Sequence, residues 1–166
     1  MGIVRAVCTS PAKGTQKTNV KSAEFIENFG IKEDAHAGKW HRQISLLSYE
    51  KIEAFRARGA EVADGAFGEN LVVEGFDFKN LPVGTRFQCN EVILEMTQIG
   101  KECHHGCEIF RRWETASCQE KVYLQGSFTA DGFPAGMRCT FWVKVSSNHS
   151  IRSERRFSCR NKRNVI

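Results

Sequence analysis

Apolar and polar positions alternate over several short stretches of the chain, and this period of two predicts β-strands. The predicted strands are GIVRAVCTS (2–10), AEFIENFGI (23–31), ISLLS (44–48), GENLVVEGF (68–76), VGTRFQC (83–89) and EVILEMTQI (91–99). Glycines between the later strands mark turns, and the irregular segment 32–43 reads as a long loop. Short strands at close spacing are typical of a β-barrel or a β-sandwich.

Helical spacing of apolar residues is clear in one segment, YEKIEAFRARG (49–59). Ser48 precedes it as a predicted N-cap, and Gly59 ends it. A second short helix is predicted for EIFRRW (108–113). We therefore expect a mainly β fold, a barrel with one or two short helices.

Composition favours one globular domain, with 166 residues, 41% hydrophobic and 26% charged. No apolar run is long enough for a membrane span and the N-terminus lacks a signal pattern, so we expect no membrane partner and a cytoplasmic location. The net charge of +5 arises entirely within residues 150–166, which hold six Lys or Arg and one Glu. Residues 1–149 are neutral overall, which argues against nucleic acid as a partner.

The odd number of cysteines, seven, and the absence of a signal pattern argue against a disulfide framework. We expect most of them to be reduced. Cys8 and Cys89 lie inside predicted strands and are expected to be buried as small apolar residues.

The stretch GKECHHGCEIF (100–110) has three interpretations: a metal site, a reactive thiol or a solvated loop. Structural zinc sites pair two half-sites, and here one C-x₃-C stands alone, so no zinc site is expected. Cys103 lies between Lys101 and the His104–His105 pair, just before the second predicted helix. These features stabilise a thiolate, although the neighbouring glutamate opposes them.

The segment DAHAGKWHRQ (34–43) concentrates charged and aromatic residues in the long loop. Arg42 suits bidentate binding of a phosphate or carboxylate, and His36 and His41 can donate to the same anion. The alternative is that Trp40 caps the barrel and the charges are solvated. The residues alone favour neither.

A weaker candidate is Asn70 in FGENL (67–71), because asparagine at a tight turn is mostly structural. If these three loops line one barrel mouth, they supply a thiol, cations and an amide. That set suits a phosphorylated or otherwise anionic ligand that accepts sulfur.

Three stretches resemble small bacterial MOSC domains, which are named for the C-terminal domain of molybdenum cofactor sulfurases. They are GIKEDAHAGKWHRQISLLS (30–48), GAFGENLVVEGFDFKNLPVGTRF (65–87) and LEMTQIGKECHHGCEIF (94–110). The resemblance is strongest to stand-alone members and to those fused to a Mog-type domain, and it covers residues 2 to about 112. It implies a MOSC-like β-barrel core over residues 1–112.

The resemblance also implies a role with the molybdenum cofactor. Cys103 matches the family cysteine that carries sulfur or binds the molybdenum ion, and Cys107 is the reserve candidate. The implied cofactor-binding residues are His36, His41, Arg42, Asn70 and Lys101. The sequence has no pyridoxal-phosphate domain to extract sulfur, so a cysteine desulfurase and a molybdoenzyme acceptor are the expected partners. The alternative is a non-catalytic module that binds a pterin or another anion during cofactor assembly.

Residues 113–145 depart from the family pattern, which continues with a stretch similar to G-D-C-x-M-P-x-E-G-I-F-A-R-V. Suitable codons for the same residues, read one base out of frame from Trp113, give GDCIMPREGIFARV. A single nucleotide lost near codon 112 therefore accounts for the departure. We expect residues 146–166 to be a disordered basic tail, and the three cysteines after residue 112 not to be ligands.

Overall fold

The computed structural model describes residues 2–89 and 92–100, together with the backbone of three further strands. The strands are β1 (Gly2–Thr9), β2 (Thr18–Asn19), β3 (Ser22–Ala23), β4 (Phe25–Ile26), β5 (Gly30–Ile31), β6 (Ile44–Ser48), β7 (Leu71–Glu74), β8 (Arg86–Cys89), β9 (Val92–Ile99), β10 (Val122–Ser127), β11 (Phe133–Pro134) and β12 (Arg138–Cys139). One α-helix, α1 (Tyr49–Ala57), and one 3₁₀ turn, Phe78–Asn80, complete the described elements.

The principal sheet has the strand order β12-β1-β7-β6-β10-β9-β8, and β2 pairs with β1 beside it. Strands β6 and β7 are parallel and joined through α1, while the other pairs are antiparallel. Among the strands that the structure describes, this sheet is open, with β12 and β8 at its two ends. The predicted mainly β fold is confirmed.

Apolar side chains are buried on both faces of this sheet. One cluster includes Ile44, Leu46 and Phe87, and the second packs Leu47 against Phe55 of α1. Adjacent residues Leu46 and Leu47 belong to opposite clusters because side chains alternate along a strand. The central strand β6 is therefore buried at all five positions, including Ser45 and Ser48.

Helix α1 begins and ends where the sequence predicts. Ser48 occupies the N-cap position, but its hydroxyl donates to the Glu50 carboxylate and makes no capping bond to the backbone. At the other end, the Gly59 N–H donates to the Arg56 carbonyl at 2.9 Å and the Ala60 N–H to the Phe55 carbonyl at 3.1 Å. This is a Schellman motif, in which glycine adopts the left-handed conformation.

The predicted strand over residues 23–31 is wrong in one respect, since this segment contains a hairpin. Strands β4 and β5 pair with each other, and the Phe29 N–H donates to the Ile26 carbonyl at 3.1 Å across the turn. Asn28 lies in the turn with φ +53°. Asparagine tolerates this left-handed conformation because its short polar side chain bonds locally.

Both cysteines predicted to be buried are buried, with Cys8 0% and Cys89 5% exposed. Cys8 is a free thiol, whereas Cys89 is disulfide-bonded. One disulfide is compatible with the expectation that most of the seven cysteines are reduced, which stays a prediction. The predicted helix 108–113 and the boundaries at 112 and 145 lie outside the described residues and stay predictions. Within the described part of the chain, no helix is both long and apolar enough to cross a membrane.

Candidate functional site

The loop between β5 and β6, residues 32–43, is the segment that carries most of the described candidate residues. It has no regular secondary structure and is fixed by backbone hydrogen bonds to neighbouring segments. The Ala35 N–H donates to the Ser10 carbonyl at 2.8 Å, and the Gly38 N–H donates to the Phe29 carbonyl at 2.7 Å. These bonds tie the loop to the end of β1 and to the β4–β5 hairpin.

A buried ion pair between Lys17 and Asp34 lies beneath this loop, and the two side chains are 1% and 0% exposed. Asp34 Oδ1 also accepts from the Ser10 N–H at 3.0 Å, and Oδ2 accepts from the His36 N–H at 3.1 Å. Burial raises the pKa of the Asp34 carboxyl, but the bonds and charge of Lys17 and the backbone donors more than offset this and hold it below its usual value. Burial lowers the pKa of the Lys17 ammonium, and Asp34 opposes that shift only in part.

Gly65 holds Lys17 in place through its backbone. The Lys17 N–H donates to the Gly65 carbonyl at 3.0 Å, and the Gly65 N–H donates to Glu69 Oε1 at 2.7 Å. Gly65 has φ +92°, and a Cβ atom built on it would lie 2.2 Å from the Lys17 carbonyl oxygen. Only glycine fits this close approach without displacing the backbone.

His36 lies at the edge of the buried pair, with about a third of its side chain exposed. Its Nδ1 is 3.4 Å from Lys17 Nζ, and its carbonyl oxygen accepts from the Trp40 indole N–H at 2.8 Å. The Lys17 ammonium therefore lies next to the ring, and the Trp40 indole holds the backbone of the same residue.

Two cations contact the Trp40 ring. The Arg42 guanidinium carbon is 5.0 Å from the ring centroid, and Lys13 Nζ is 6.0 Å from it. Both distances are within the range of cation–π attraction. We call Lys13, His36, Trp40 and Arg42 the cationic cluster. It combines a planar aromatic face with donors that suit phosphate or carboxylate.

His41 has different surroundings from His36, although both are in the same loop. It is exposed, and its Nε2 is 3.2 Å from Gln98 Oε1 near the end of β9. Its ring meets that of Trp40 edge-on, with the centroids 6.2 Å apart. The two rings line an open cleft of about 650 Å³ beside the β4–β5 hairpin.

Asn70, directly before β7, links strands β1 and β6 through its side chain. Its Oδ1 accepts from the Ser45 N–H and hydroxyl, each at 3.2 Å, and its Nδ2 donates to the Cys8 carbonyl at 3.1 Å. The residue is 1% exposed. This geometry gives the side chain a structural role in the sheet, and its predicted contact with a cofactor stays a prediction.

Lys101, Cys103 and Cys107 lie outside the described residues, so their predicted roles stay predictions. The chain itself limits their position, because Cys103 follows Gln98 by five residues and its Cα must lie within about 18 Å of the Gln98 Cα. Among the described residues, no group of three or more His, Cys, Asp or Glu side chains could hold a metal ion.

Lys17 is not among the site residues that the sequence predicts. It is found in the polar stretch KGTQKT, where nothing distinguishes a buried lysine from an exposed one. Only its pairing with Asp34, 17 positions later, explains its burial.

Several proteins of known structure are similar to this chain. No curated protein matches the chain. Solved structures do match, among them the YuaD protein from Bacillus subtilis, with a TM-score of 0.56 at 17% identity over 80% of this chain and 94% of that one. YiiM from Geobacillus stearothermophilus has a TM-score of 0.65 at 14% identity (88% of this chain, 77% of that one). YiiM from Escherichia coli has a TM-score of 0.57 at 18% identity (89% and 72%).

At these identities the structural likeness establishes the fold alone. The family is established by the sequence, since the model of the MOSC domain matches residues 33–153, well over half of the chain. The match includes the whole loop between β5 and β6 except its first residue. The chain belongs to the MOSC domain family.

Proposed function

We propose that this protein binds molybdopterin or the molybdenum cofactor at the cationic cluster and carries sulfur, or binds the cofactor's metal, through Cys103. Membership of the MOSC family supports the choice of ligand. The observation that carries the proposal is the arrangement of Arg42 and Lys13 around the Trp40 ring.

The donor set of this cluster suits the chemistry of a phosphorylated pterin. A guanidinium binds phosphate bidentately, and a second cation nearby adds attraction for the same anion. The exposed His41 ring and the half-buried Trp40 ring of the neighbouring cleft offer flat surfaces for a planar ring system. Arg42 and Lys13 would hold the phosphate, and Trp40 and His41 would lie beside the pterin.

The chain limits how far the thiol can lie from this loop. Because His41 is hydrogen-bonded to Gln98, the cluster adjoins the end of β9, and Cys103 is within reach of that end. When bound, the cofactor would supply the metal centre that accepts the sulfur or the thiolate. The protein would hold the anion and present the thiol.

Sulfur loading requires a donor, which we take to be the persulfide of a cysteine desulfurase. The Cys103 thiolate attacks the outer sulfur of that persulfide. The donor's S–S bond breaks, a new S–S bond forms on Cys103, and the donor cysteine leaves as a thiolate. This exchange transfers one sulfur atom without net oxidation or reduction.

Mass spectrometry tests the thiol. After incubation with a cysteine desulfurase and cysteine, the wild type should gain the mass of one sulfur atom on the peptide containing Cys103. Cys103→Ser should lose this gain, and Cys107→Ser should retain it. A wild type that acquires no persulfide, combined with unchanged molybdopterin binding by Cys103→Ser, would instead identify a non-catalytic binding module.

Equilibrium binding tests the cationic cluster. Arg42→Gln removes a charge-assisted contact worth about 1.5–3 kcal/mol, so molybdopterin affinity should fall by roughly ten- to a hundredfold. Arg58→Gln is the matched control, because Arg58 is an exposed arginine at the end of α1 and is not part of the cationic cluster. Equal affinities for the two variants would contradict binding at this cluster.

A further inference from the structure

The Lys17 ammonium contacts two acceptors in the buried region under the loop. It pairs with Asp34, and it is 3.4 Å from His36 Nδ1. An ammonium group has three donors and no acceptor, so an imidazole nitrogen that bonds to it must be the acceptor. An accepting Nδ1 carries no proton, and the proton of the ring is then on Nε2.

The competing arrangement is a doubly protonated His36 that donates its Nδ1–H to Asp34. The distance from Nδ1 to Asp34 Oδ2 is 3.8 Å, which is too long for a hydrogen bond. Oδ2 already accepts from the backbone N–H of His36 at 3.1 Å, and Oδ1 accepts from Lys17 and from the Ser10 N–H. The carboxylate is therefore well supplied with donors without the ring.

Electrostatics do not reverse this preference. A charged ring would be repelled by the ammonium at 3.4 Å and attracted by the carboxylate at 3.8 Å. These opposing interactions are similar in size at similar distances, so they largely cancel. Glu69 also acts electrostatically on the Lys17 ammonium. The direct contact between Lys17 and Nδ1 favours the ring state in which Nδ1 is the acceptor.

We propose that Lys17 and Asp34 are a positioning pair that fixes His36 as a neutral imidazole protonated on Nε2. Asp34 holds the ammonium in place, and the ammonium determines the tautomer. His36 is then a neutral hydrogen-bond donor in the cationic cluster, and the charge of the cluster comes from Arg42 and Lys13. The statement about ligand donation rests on the proposed function, whereas the tautomer does not.

Nitrogen NMR of the full ligand-free chain tests the tautomer directly. Long-range ¹H–¹⁵N correlation at neutral pH distinguishes protonated from unprotonated ring nitrogens, and His36→Gln identifies the His36 signals by their loss. We expect Nδ1 to be unprotonated and Nε2 to be protonated. A His36 ring protonated on Nδ1, alone or together with Nε2, would overturn the proposal.

Lys17→Met tests whether the ammonium is responsible. The His36 signals should move towards a form protonated on Nδ1, while the His41 signals stay unchanged and report an intact fold. A folded variant whose His36 signature matches the wild type would refute the role of Lys17. If the variant does not fold, the wild-type spectrum still decides the tautomer.

The outcomes separate this inference from the proposed function. The expected tautomer in a protein that fails to bind molybdopterin would leave the positioning pair intact and reject the ligand. The opposite tautomer in a protein that binds molybdopterin normally would reject the positioning pair and leave the proposed ligand intact.

Discussion

Replacement of Gly65 by alanine is the sharpest test of how the buried pair is held. Gly65 has φ +92°, and its new Cβ would lie 2.2 Å from the Lys17 carbonyl oxygen and 2.7 Å from its carbonyl carbon. Both are backbone atoms, so no side-chain rotation relieves the contact. The segment that carries Lys17 must move away from Gly65.

Gly84 provides a matched control. Its φ is +90°, and a Cβ atom there would meet nothing within 4 Å. Alanine in this left-handed conformation costs about 1–2 kcal/mol at either site. Gly65→Ala should cost more, because the shift weakens the Lys17–Gly65 backbone hydrogen bond, worth about 1 kcal/mol. It also disturbs a buried ion pair, whose complete disruption costs about 3–5 kcal/mol.

We therefore expect Gly65→Ala to lower the free energy of unfolding by about 2–4 kcal/mol more than Gly84→Ala. Urea denaturation measures this, and with a slope of about 2 kcal/mol per molar the two midpoints should differ by about 1–2 M. The His36 nitrogen signals should change in Gly65→Ala and stay unchanged in Gly84→Ala. Equal midpoints would show that the close approach does not hold Lys17.

Three further predictions concern the sheet, the thiols and the reading frame. Asn70→Ala should lower the free energy of unfolding, measured by urea denaturation, by about 2–4 kcal/mol, because it leaves buried backbone groups unpaired. Asn80→Ala, at an exposed position, should change it by less than about 0.5 kcal/mol. Burial, with the nearby acidic groups, raises the pKa of the Cys8 thiol to about 12, so iodoacetamide at mildly acidic pH should label Cys103 and leave Cys8 unmodified; faster labelling of Cys8 would contradict the site. Resequencing the gene around codon 112 should reveal one missing nucleotide, and an intact frame there would disprove the shifted reading of residues 113–145.

Strands and the helix were predictable where the burial of a segment follows from its own period. The mainly apolar strand at 44–48 is buried along its whole length because it is covered on both faces, and α1 buries Ile52 and Phe55 on one side. The hairpin within 23–31 was not predictable in this way. Its apolar residues fit a continuous strand equally well, and the reversal depends on the conformation of one asparagine.

The site was predictable only in part, for a related reason. The composition of residues 34–43 identifies a loop with unusual chemistry, and the structure does bring His36, Trp40 and Arg42 together there. The separate surroundings of His36 and His41 depend on which distant segments approach the loop.

Lys17 shows most clearly why local sequence is insufficient. A lysine in a polar, glycine-containing stretch is normally exposed, because burial of an unpaired ammonium is costly. Here the glycine at position 65 allows the backbone to approach, and Asp34 supplies the opposite charge. Gly65 and Asp34 are both at least 17 positions away from Lys17 in the sequence. The ammonium is therefore buried next to His36 only in the folded chain, where the segments that contain these residues meet. If Lys17 determines the tautomer of His36, the chemistry of the loop depends on a residue that no feature of the loop's own sequence indicates.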